Sequence, residues 1–337
     1  MNPCAAIAVE DPAGAGEARR IAQRLAHRLQ FGDTRAGQLA LVVTELATNL
    51  AKHAQRGEIL LRPLDGPSEQ PGVEVLAVDR GPGIPDVALS RRDGYSTAGT
   101  LGHGLGAIQR QSDQCWIYTQ PSGTAIAARV WREPRPADQH LPLDVAAVCV
   151  SKPGEEVCGD QWAWRLRPER LAILVADGLG HGLGAHDAAR QATATFDEDP
   201  DAAPRDVIER VHAALKPTRG AAVACLAVDL ERGVARYAGL GNIAGTVLRA
   251  DGSRQNFVSQ NGIAGHAASR FQEYSYPVPA GSTLVLHSDG LASQWSLANY
   301  PGLVTRPASL IAGILYRDFS RRRDDVTVVV ARERQSG

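Results

Sequence analysis

The heptapeptide Leu-Gly-His-Gly-Leu-Gly-Ala occurs twice in the chain, at residues 101–107 and again at residues 179–185. The first copy follows a Gly/Pro-rich segment that begins at Asp79, the second directly follows Asp177-Gly178, and a helical pattern comes after each. Glycines at such a junction let main-chain N–H groups approach a phosphate, and a helix N-terminus adds favourable partial charge. Because the sequences around the copies differ, we do not infer duplication, and we interpret each copy as the centre of a separate phosphate-handling domain.

The composition is that of a folded protein with a balanced charge. The chain has 337 residues, of which 44% are hydrophobic and 22% charged, and this length predicts two or three domains. The net charge is −1, and residues 1–132 carry 14 basic and 13 acidic side chains. This balance argues against a nucleic-acid partner. The chain has three lysines and no G-x-x-x-x-G-K-[ST] motif, so a P-loop mechanism is not expected.

Cysteine usage and hydropathy indicate the compartment. The five cysteines are scattered and form no C-x-x-C motif, which argues against a disulfide framework or a zinc ribbon and for a reducing environment. The N-terminus has no basic region followed by an apolar run, and no apolar segment approaches the ~18 residues that span a bilayer. We therefore expect a cytoplasmic protein with no membrane partner.

The hydrophobic periodicity predicts an α+β chain of two domains. The first, residues 1–132, is predicted to contain helices over 15–29 and from Asp33 or Thr34, as the cap, to about residue 53, and a helix from about residue 107. A proline-rich segment, residues 133–142, is the predicted linker. The second domain, residues 143–337, has many short strands and few helices, which favours a sheet sandwich flanked by helices.

Four segments of the first domain carry residues suited to nucleotide binding. In chain order they are Glu45-Leu-Ala-Thr-Asn49, Asp79-Arg-Gly-Pro-Gly83, Asp93-Gly-Tyr-Ser-Thr97 and Gly102-His-Gly-Leu-Gly106. Mg²⁺ on a nucleotide keeps phosphate oxygens and waters as ligands, so a single asparagine suffices. A carboxylate one helical turn away can orient or deprotonate the attacking group. From position alone, a solvated stripe of helix comprising Glu45, Asn49 and His53 is the alternative.

On these four segments the first domain resembles the GHKL (Bergerat) ATPases, in particular the small serine kinases of bacterial partner-switching systems. The 93–106 region is most similar to the RsbT-like stressosome kinases. The resemblance implies binding of ATP with Mg²⁺ and phosphorylation of Ser or Thr on a STAS-domain partner. Its implied roles are Mg²⁺ ligation by Asn49, general-base catalysis by Glu45, and adenine recognition by Asp79, Gly81 and Gly83. Thr97, Gly102, Gly104 and Gly106 complete the implied nucleotide site.

Acidic residues mark four strand ends or turns of the second domain: Gly159-Asp160, Asp177-Gly178, Asp289-Gly290 and Asp324-Asp325. Carboxylates that converge at the ends of buried strands are costly unless cations neutralise them. Oxygen-only ligands favour Mg²⁺ or Mn²⁺ over zinc, and two such ions can activate a water for attack on a phosphate ester. A single Asp-Gly is more simply an ordinary turn, but the set of four favours a metal site.

The second domain resembles the SpoIIE/RsbX branch of the metal-dependent (protein phosphatase 2C-like) protein phosphatases. The matching segments are Val157-Cys-Gly-Asp160, Val175-Ala-Asp-Gly-Leu-Gly-His-Gly182, His287-Ser-Asp-Gly290 and Arg323-Asp-Asp-Val-Thr327. The resemblance implies an αββα sandwich that hydrolyses phosphoserine or phosphothreonine. Asp177 would bridge two Mn²⁺ or Mg²⁺ ions with help from the Gly178 carbonyl, and Asp160 would hold one ion. Asp289 and Asp324 would hold the other, with Asp325 as the alternative to Asp324.

Two further residues of this domain have two open interpretations each. His181 either protonates the leaving oxygen or shapes the glycine-rich turn. Asn242 either contacts the substrate phosphate or is an ordinary turn residue.

Together the two resemblances predict a bifunctional partner-switching regulator, a kinase and a phosphatase that act on STAS-domain proteins. A sigma factor or a downstream phosphatase is a further candidate partner. One alternative is an ATP-binding module that sequesters an anti-sigma or STAS partner without kinase activity, fused to an active phosphatase. The other is a phosphatase with a degenerate regulatory ATPase domain, against which the intact Glu45 and Asn49 argue.

Overall fold

The computed structural model describes residues 3–87, 104–134, 142–266, 268 and 270–334. Two compact units are present, one made of described residues between 4 and 134 and the other mainly of residues 142–334, with Pro3 and Gly66–Ser68 grouped with the second. Both contain helices and antiparallel sheets, so the predicted α+β class is confirmed. None of the described helices combines the length and the apolarity needed to cross a membrane.

The first unit is a five-stranded antiparallel sheet with helices packed on it, in the strand order β1-β2-β3-β5-β4. Its elements are β1 (Ala5–Ala8), α1 (Pro12–Arg28), α2 (Asp33–His53), β2 (Glu58–Leu64), β3 (Gly72–Val78), α3 (Gly104–Gln111), β4 (Gln114–Gln120) and β5 (Gly123–Trp131). The core lies between the sheet and the apolar faces of α1 and α2, and includes Leu39, Val43 and Leu46, each at most 1% exposed. This arrangement fixes the polar stripe of α2 relative to the sheet.

Helix α1 begins where its sequence signals a cap. The Asp11 side chain accepts hydrogen bonds from the main-chain N–H groups of Ala13 and Gly14 (2.9 and 3.0 Å), which satisfies donors that a helix start leaves unpaired. The predicted cap of α2 was wrong. Gly32 occupies the N-cap position without a side-chain hydrogen bond, and Asp33 lies in the first turn, where its charge complements the helix dipole.

The second unit contains two five-stranded sheets with orders β13-β10-β9-β8-β7 and β12-β11-β14-β15-β6. Its strands are β6 (Leu143–Val150), β7 (Asp160–Arg167), β8 (Arg170–Gly178), β9 (Ala221–Asp229), β10 (Val234–Leu240), β11 (Ala244–Leu248), β12 (Arg254–Asn256), β13 (Tyr274–Pro277), β14 (Thr283–His287) and β15 (Val326–Glu333). Its helices are α4 (Leu183–Glu198), α5 (Pro204–Leu215) and α6 (Ala308–Phe319), with a short 3₁₀ turn at Leu303–Thr305.

The two sheets enclose the main core of this unit, in which Trp162 and Tyr237 are fully buried. Helices α4 and α5 cover the outer face of the first sheet over a second core, and α6 packs on β6 and β15 of the other sheet. The layers are therefore helix, sheet, sheet and helix, which confirms the predicted αββα sandwich. The short strands β12 and β13 were not predicted, since each is too short and too polar to show alternation.

Candidate functional sites

Helix α2 presents the two candidate kinase residues, Glu45 and Asn49, one turn apart. Both side chains are partly exposed, although neighbouring helix positions are buried. The first residue of α3, Gly104, lies opposite the Asn49 amide: a β-carbon there would be 3.4 Å from Asn49 Oδ1 and 3.5 Å from Nδ2. The end of the glycine-rich segment therefore reaches Asn49 on α2, and a β-carbon at Gly104 would be in ordinary van der Waals contact with the amide.

Asp79 is held by the main chain at the end of β3. Its Oδ1 atom accepts hydrogen bonds from the N–H groups of Gly81 (2.7 Å) and Thr124 (3.3 Å), and the residue is 9% exposed. A β-carbon at Gly81 would lie 3.0 Å from the same oxygen. The carboxylate is thus oriented before any ligand arrives, which suits the recognition of an amino group.

Two more predicted glycines have structural reasons. Gly83 adopts a φ of +80° and a β-carbon there would overlap the carbonyl oxygen of Gln120, so only glycine fits. Gly106 is buried in the first turn of α3. Thr97 and Gly102, together with the 93–97 segment, lie outside the described residues.

The candidate phosphatase residues meet at one end of the sandwich. Asp160 at the start of β7 pairs directly with Asp177 near the end of β8. In the other sheet, β14 and β15 are neighbours; Asp289 follows β14 and Asp324 precedes β15. Four separate segments therefore bring their carboxylates to the same edge of the two sheets, as the sequence pattern predicts for converging strand ends.

Asp160 is the most enclosed of these carboxylates, with no exposed surface. The Ser288 hydroxyl donates a hydrogen bond to its Oδ2 atom (2.6 Å) and accepts one from the Thr327 N–H (2.9 Å). Ser288 thereby ties β7 to β14 and β15 and fixes the Asp160 rotamer. Ser288 was not among the predicted site residues, although a hydroxyl directly after an apolar strand and before Asp289 was a usable signal.

Asp324 and Asp325 have different surroundings. Asp325 is 3% exposed, and its Oδ1 atom accepts a hydrogen bond from the Lys152 N–H (2.9 Å). Asp324 is exposed, and its charge raises the pKa of Asp289 after the larger effect of burial. Asp325 Oδ2 is buried and accepts no hydrogen bond of normal geometry from the described residues, whereas Asp324 has an accessible carboxylate beside Asp289. Both aspartates therefore stay candidate ligands.

The glycines of the three Asp-Gly and Gly-Asp pairs are required by space rather than by turn geometry. A β-carbon at Gly178 would overlap the Ala185 carbonyl oxygen, and one at Gly290 would overlap the Asp325 carbonyl oxygen. One at Gly159 would lie 2.6 Å from Asp325 Oδ2. The segments that carry the carboxylates therefore pack closely at these glycines. A β-carbon at any of the three positions would hold the acidic side chains farther apart.

The proximity of these carboxylates alters their proton affinity. Burial, opposed by the Ser288 hydrogen bond and aided by the charges of Asp325 and Asp289, raises the pKa of Asp160 to about 7. Burial, together with the charges of Asp160 and Asp289, raises the pKa of Asp177 to about 9. A cluster of this kind favours the binding of cations, because a cation relieves both desolvation and repulsion.

The donor set fits a hydrated divalent cation. The Oδ1 atom of Asp160 is buried and accepts no hydrogen bond of normal geometry from the described residues. In the described part of the chain, no group of three or more acidic, histidine or cysteine side chains has its atoms placed to hold a metal ion. The residue types still suit Mg²⁺ or Mn²⁺, which bind carboxylate oxygens and keep several waters as ligands.

The two residues with open interpretations each contact a carboxylate. His181 Nδ1 lies 2.6 Å from Glu155 Oε1 at the surface, and both side chains are accessible to solvent. The Asn242 amide donates a hydrogen bond to Asp289 Oδ2 (2.8 Å). His181 is therefore oriented by Glu155, which sequence reasoning missed, and Asn242 orients a carboxylate of the cluster.

The raised pKa values predict how the stability of the second unit depends on pH. A carboxyl group with a folded-state pKa of about 7 or 9 and an ordinary value near 4 when unfolded binds more protons in the folded state between those limits. Stability is therefore fully present below about pH 4 and is lost as the pH rises towards 9. We expect the melting temperature of the cation-free protein to fall between pH 5 and pH 9, measured by calorimetry in a chelating buffer.

The control for this measurement is the same titration in excess Mn²⁺. We expect the loss at high pH to become smaller, because the cation replaces the protons. A cation-free melting temperature that is constant or rises from pH 5 to pH 9 would contradict the raised pKa values of Asp160 and Asp177.

Comparisons with known proteins assign the two units to different families. The family model of the histidine kinase-like ATPase domain matches residues 8–130, and that of stage II sporulation protein E (SpoIIE) matches residues 167–334. The serine/threonine-protein kinase RsbT of Bacillus subtilis (strain 168) is 33% identical over 115 residues, which are 34% of this chain and 86% of RsbT. The phosphoserine phosphatase RsbX of the same organism is 23% identical over 186 residues, 54% of this chain and 90% of RsbX.

Two solved structures are similar to more than half of the chain. A chain from a bacterial stressosome structure, described as a modular system adapted to control secondary messenger signalling, is 29% identical with a TM-score of 0.52; the match covers 56% of this chain and 99% of that one. RsbX in complex with magnesium matches with a TM-score of 0.51 and 21% identity over 58% of this chain and 98% of its own, which shows the fold. Through its N-terminal histidine kinase-like ATPase domain the chain belongs to the RsbT family of serine/threonine-protein kinases, and it carries in addition a SpoIIE-type serine/threonine phosphatase domain.

Proposed function

We propose that the protein is a bifunctional partner-switching regulator that phosphorylates and dephosphorylates STAS-domain proteins. The observation that carries this proposal is the presence of two sets of residues in one chain. In the first, Asn49 faces Gly104 and lies one helical turn from Glu45. The second is the cluster of four interacting carboxylates, Asp160, Asp177, Asp289 and Asp324. The sequence similarity to the kinase RsbT and the phosphatase RsbX supports the same two activities, phosphorylation and dephosphorylation.

In the proposed kinase reaction, Glu45 and Asn49 of α2 would be the central residues. Asn49 would hold Mg²⁺ on ATP, Asp79 would accept the adenine amino group, and the glycines from Gly104 onward would approach the phosphates with their main-chain N–H groups. Glu45, one turn from Asn49, would accept the proton of the attacking serine or threonine hydroxyl. A carboxylate in this place contributes mainly by positioning and proton acceptance.

In the proposed phosphatase reaction the carboxylate cluster would hold two Mg²⁺ or Mn²⁺ ions. Bound ions supply charge neutralisation and an activated water for attack on the phosphate ester. Asp177 would contribute to both ions with the Gly178 carbonyl, Asp160 to one, and Asp289 and Asp324 to the other. Ser288 would keep Asp160 in its rotamer, and Asn242 would do the same for Asp289. His181, held by Glu155, would donate the proton to the leaving oxygen.

The test measures phosphorylation and dephosphorylation of one partner protein. The segment of residues 133–142 would keep each active site at roughly millimolar effective concentration near a partner bound by the other domain. If both sites serve the same residue, we expect the protein, a STAS-domain partner and Mg-ATP to release inorganic phosphate continuously. We expect Asn49→Ala to stop this release, and Asp177→Asn to stop it after one burst that leaves the partner phosphorylated.

The burst separates the alternatives. Sustained release by Asp177→Asn would mean that the first domain hydrolyses ATP directly. If the partner binds but no phosphate reaches it from ATP, the ATP-binding sequestration module is the better description. If each domain acts on a different partner, the two activities are not coupled in a cycle.

A further inference from the structure

The second heptapeptide exposes both of its leucines. Leu179 is 49% exposed and Leu183 is 70% exposed, although they directly follow Asp177-Gly178. Among the described residues of this unit, Val258 is the only other large apolar side chain that is comparably exposed. Single exposed apolar residues are common, but two of them four positions apart at the edge of a carboxylate cluster form a local apolar surface.

Arg219 lies against this heptapeptide. The N–H of Leu179 donates a hydrogen bond to the carbonyl of Gly220 (2.9 Å), which joins the two segments. A β-carbon at Gly184 would lie 2.5 Å from Arg219 Nε and 2.7 Å from Cζ, and one at Gly180 would lie 3.6 Å from Nη1. The glycines at positions 180 and 184 therefore make room for the guanidinium beside the two leucines.

The Arg219 side chain is exposed and forms no ion pair with any described carboxylate. This part of the surface thus combines an available guanidinium with two exposed leucines. One of these leucines, Leu179, lies two residues after Asp177. Guanidinium groups recognise phosphate through paired, charge-assisted hydrogen bonds. An occupant that matches all three features is a polypeptide with a phosphorylated side chain and an apolar neighbour.

We propose that Leu179, Leu183 and Arg219, the docking face, bind the phosphorylated segment of the protein substrate. Arg219 contacts the phosphate as it enters the carboxylate cluster, and the leucines pack on the apolar side chain next to the phosphoserine. The docking face begins two residues after Asp177, a proposed metal ligand, and the proposal rests on the proposed phosphatase function. It gives the two leucines of the second heptapeptide a role in binding, and it gives Gly180 and Gly184 the role of making room for Arg219.

The test compares two synthetic phosphoserine peptides with the full-length protein in Mn²⁺. In one peptide leucines flank the phosphoserine, and in the other glycines do. We expect wild type to show about tenfold higher kcat/KM for the leucine-flanked peptide, as burial of an apolar side chain of this size permits. Leu179→Gln and Leu183→Gln should remove this preference, whereas the matched control Val258→Gln should retain it.

Arg219 has a separate signature. Arg219→Gln should lower kcat/KM for both peptides by about tenfold or more while the preference persists, and Arg219→Lys should restore part of the loss. Equal kcat/KM of wild type for the two peptides, or a preference that survives in both leucine variants, would overturn the docking face. Failure of wild type to hydrolyse either peptide would instead overturn the proposed phosphatase function on which it rests.

Discussion

Asp177→Asn is expected to reduce the hydrolysis of phosphoserine by at least about a hundredfold while the fold persists. Asp177 is paired with Asp160 across β7 and β8, and its charge interacts with those of Asp289 and Asp324. An amide keeps the shape but loses the negative charge and one oxygen donor, so the shared cation position is lost. Substitution of a residue that only orients a metal ligand typically lowers metal affinity or activity by about 10- to 100-fold. Substitution of a direct ligand should lower activity further.

Two measurements accompany this experiment. Burial and neighbouring charges raise the pKa of Asp177 to about 9, so this carboxyl group does not stabilise the cation-free fold at pH 8. Asp177→Asn should therefore not lower the melting temperature of the cation-free protein at that pH. The matched control is Asp206→Asn, an exposed aspartate in the first turn of α5, which should leave turnover intact. Near-normal Mn²⁺-dependent turnover by Asp177→Asn would exclude the role that we propose.

Glu45→Gln is expected to slow phosphoryl transfer to the partner by about 10²- to 10⁴-fold, the usual contribution of a positioned acid–base residue. Its affinity for Mg-ATP should stay close to that of wild type, because the amide keeps the helix surface. Asn49→Ala should instead weaken Mg-ATP binding, since Asn49 faces Gly104 across the proposed phosphate site. Titration calorimetry and single-turnover transfer measure the two effects separately.

The control for this pair is Glu17→Gln on the exposed side of α1, which should alter neither quantity. An equal loss of Mg-ATP affinity in Glu45→Gln and Asn49→Ala would show that the two roles are not separable. Unchanged transfer by Glu45→Gln would leave positioning by the rest of the site as the sole source of catalysis in the first domain.

Sequence reasoning succeeded where one physical signal was strong. The hydrophobic pattern predicts strands at Leu143–Val150 and Thr283–His287 and a helix at Ala308–Phe319. These are the bounds of β6, β14 and α6 in the structure, because each is an apolar segment with clear ends. The start of α3 was placed at about residue 107 rather than at Gly104, since glycines carry no apolar periodicity. Strand β12, with three polar residues, has no pattern to detect.

The contacts within the sites depended on distant residues. Nothing near Asp324 and Asp325 in the sequence distinguishes them, and the difference arises because Lys152 binds Asp325 from a separate loop. The position of Arg219 over Gly184 likewise joins segments 35 residues apart. Such pairings follow from strand register and helix placement, which local pattern does not determine.

The backbone pairing of Asp160 with Asp177 has a consequence for how the family can diverge. Main-chain hydrogen bonds of β7 and β8 hold both positions whatever side chains they carry, and the clustered charges work against folding near neutral pH. Replacing a carboxylate there removes catalysis while easing the repulsion, so selection for stability alone favours inactive descendants. We therefore expect a chain that loses one of the four acidic residues to stay folded, to lose phosphatase activity and still to bind phosphorylated segments through the proposed docking face.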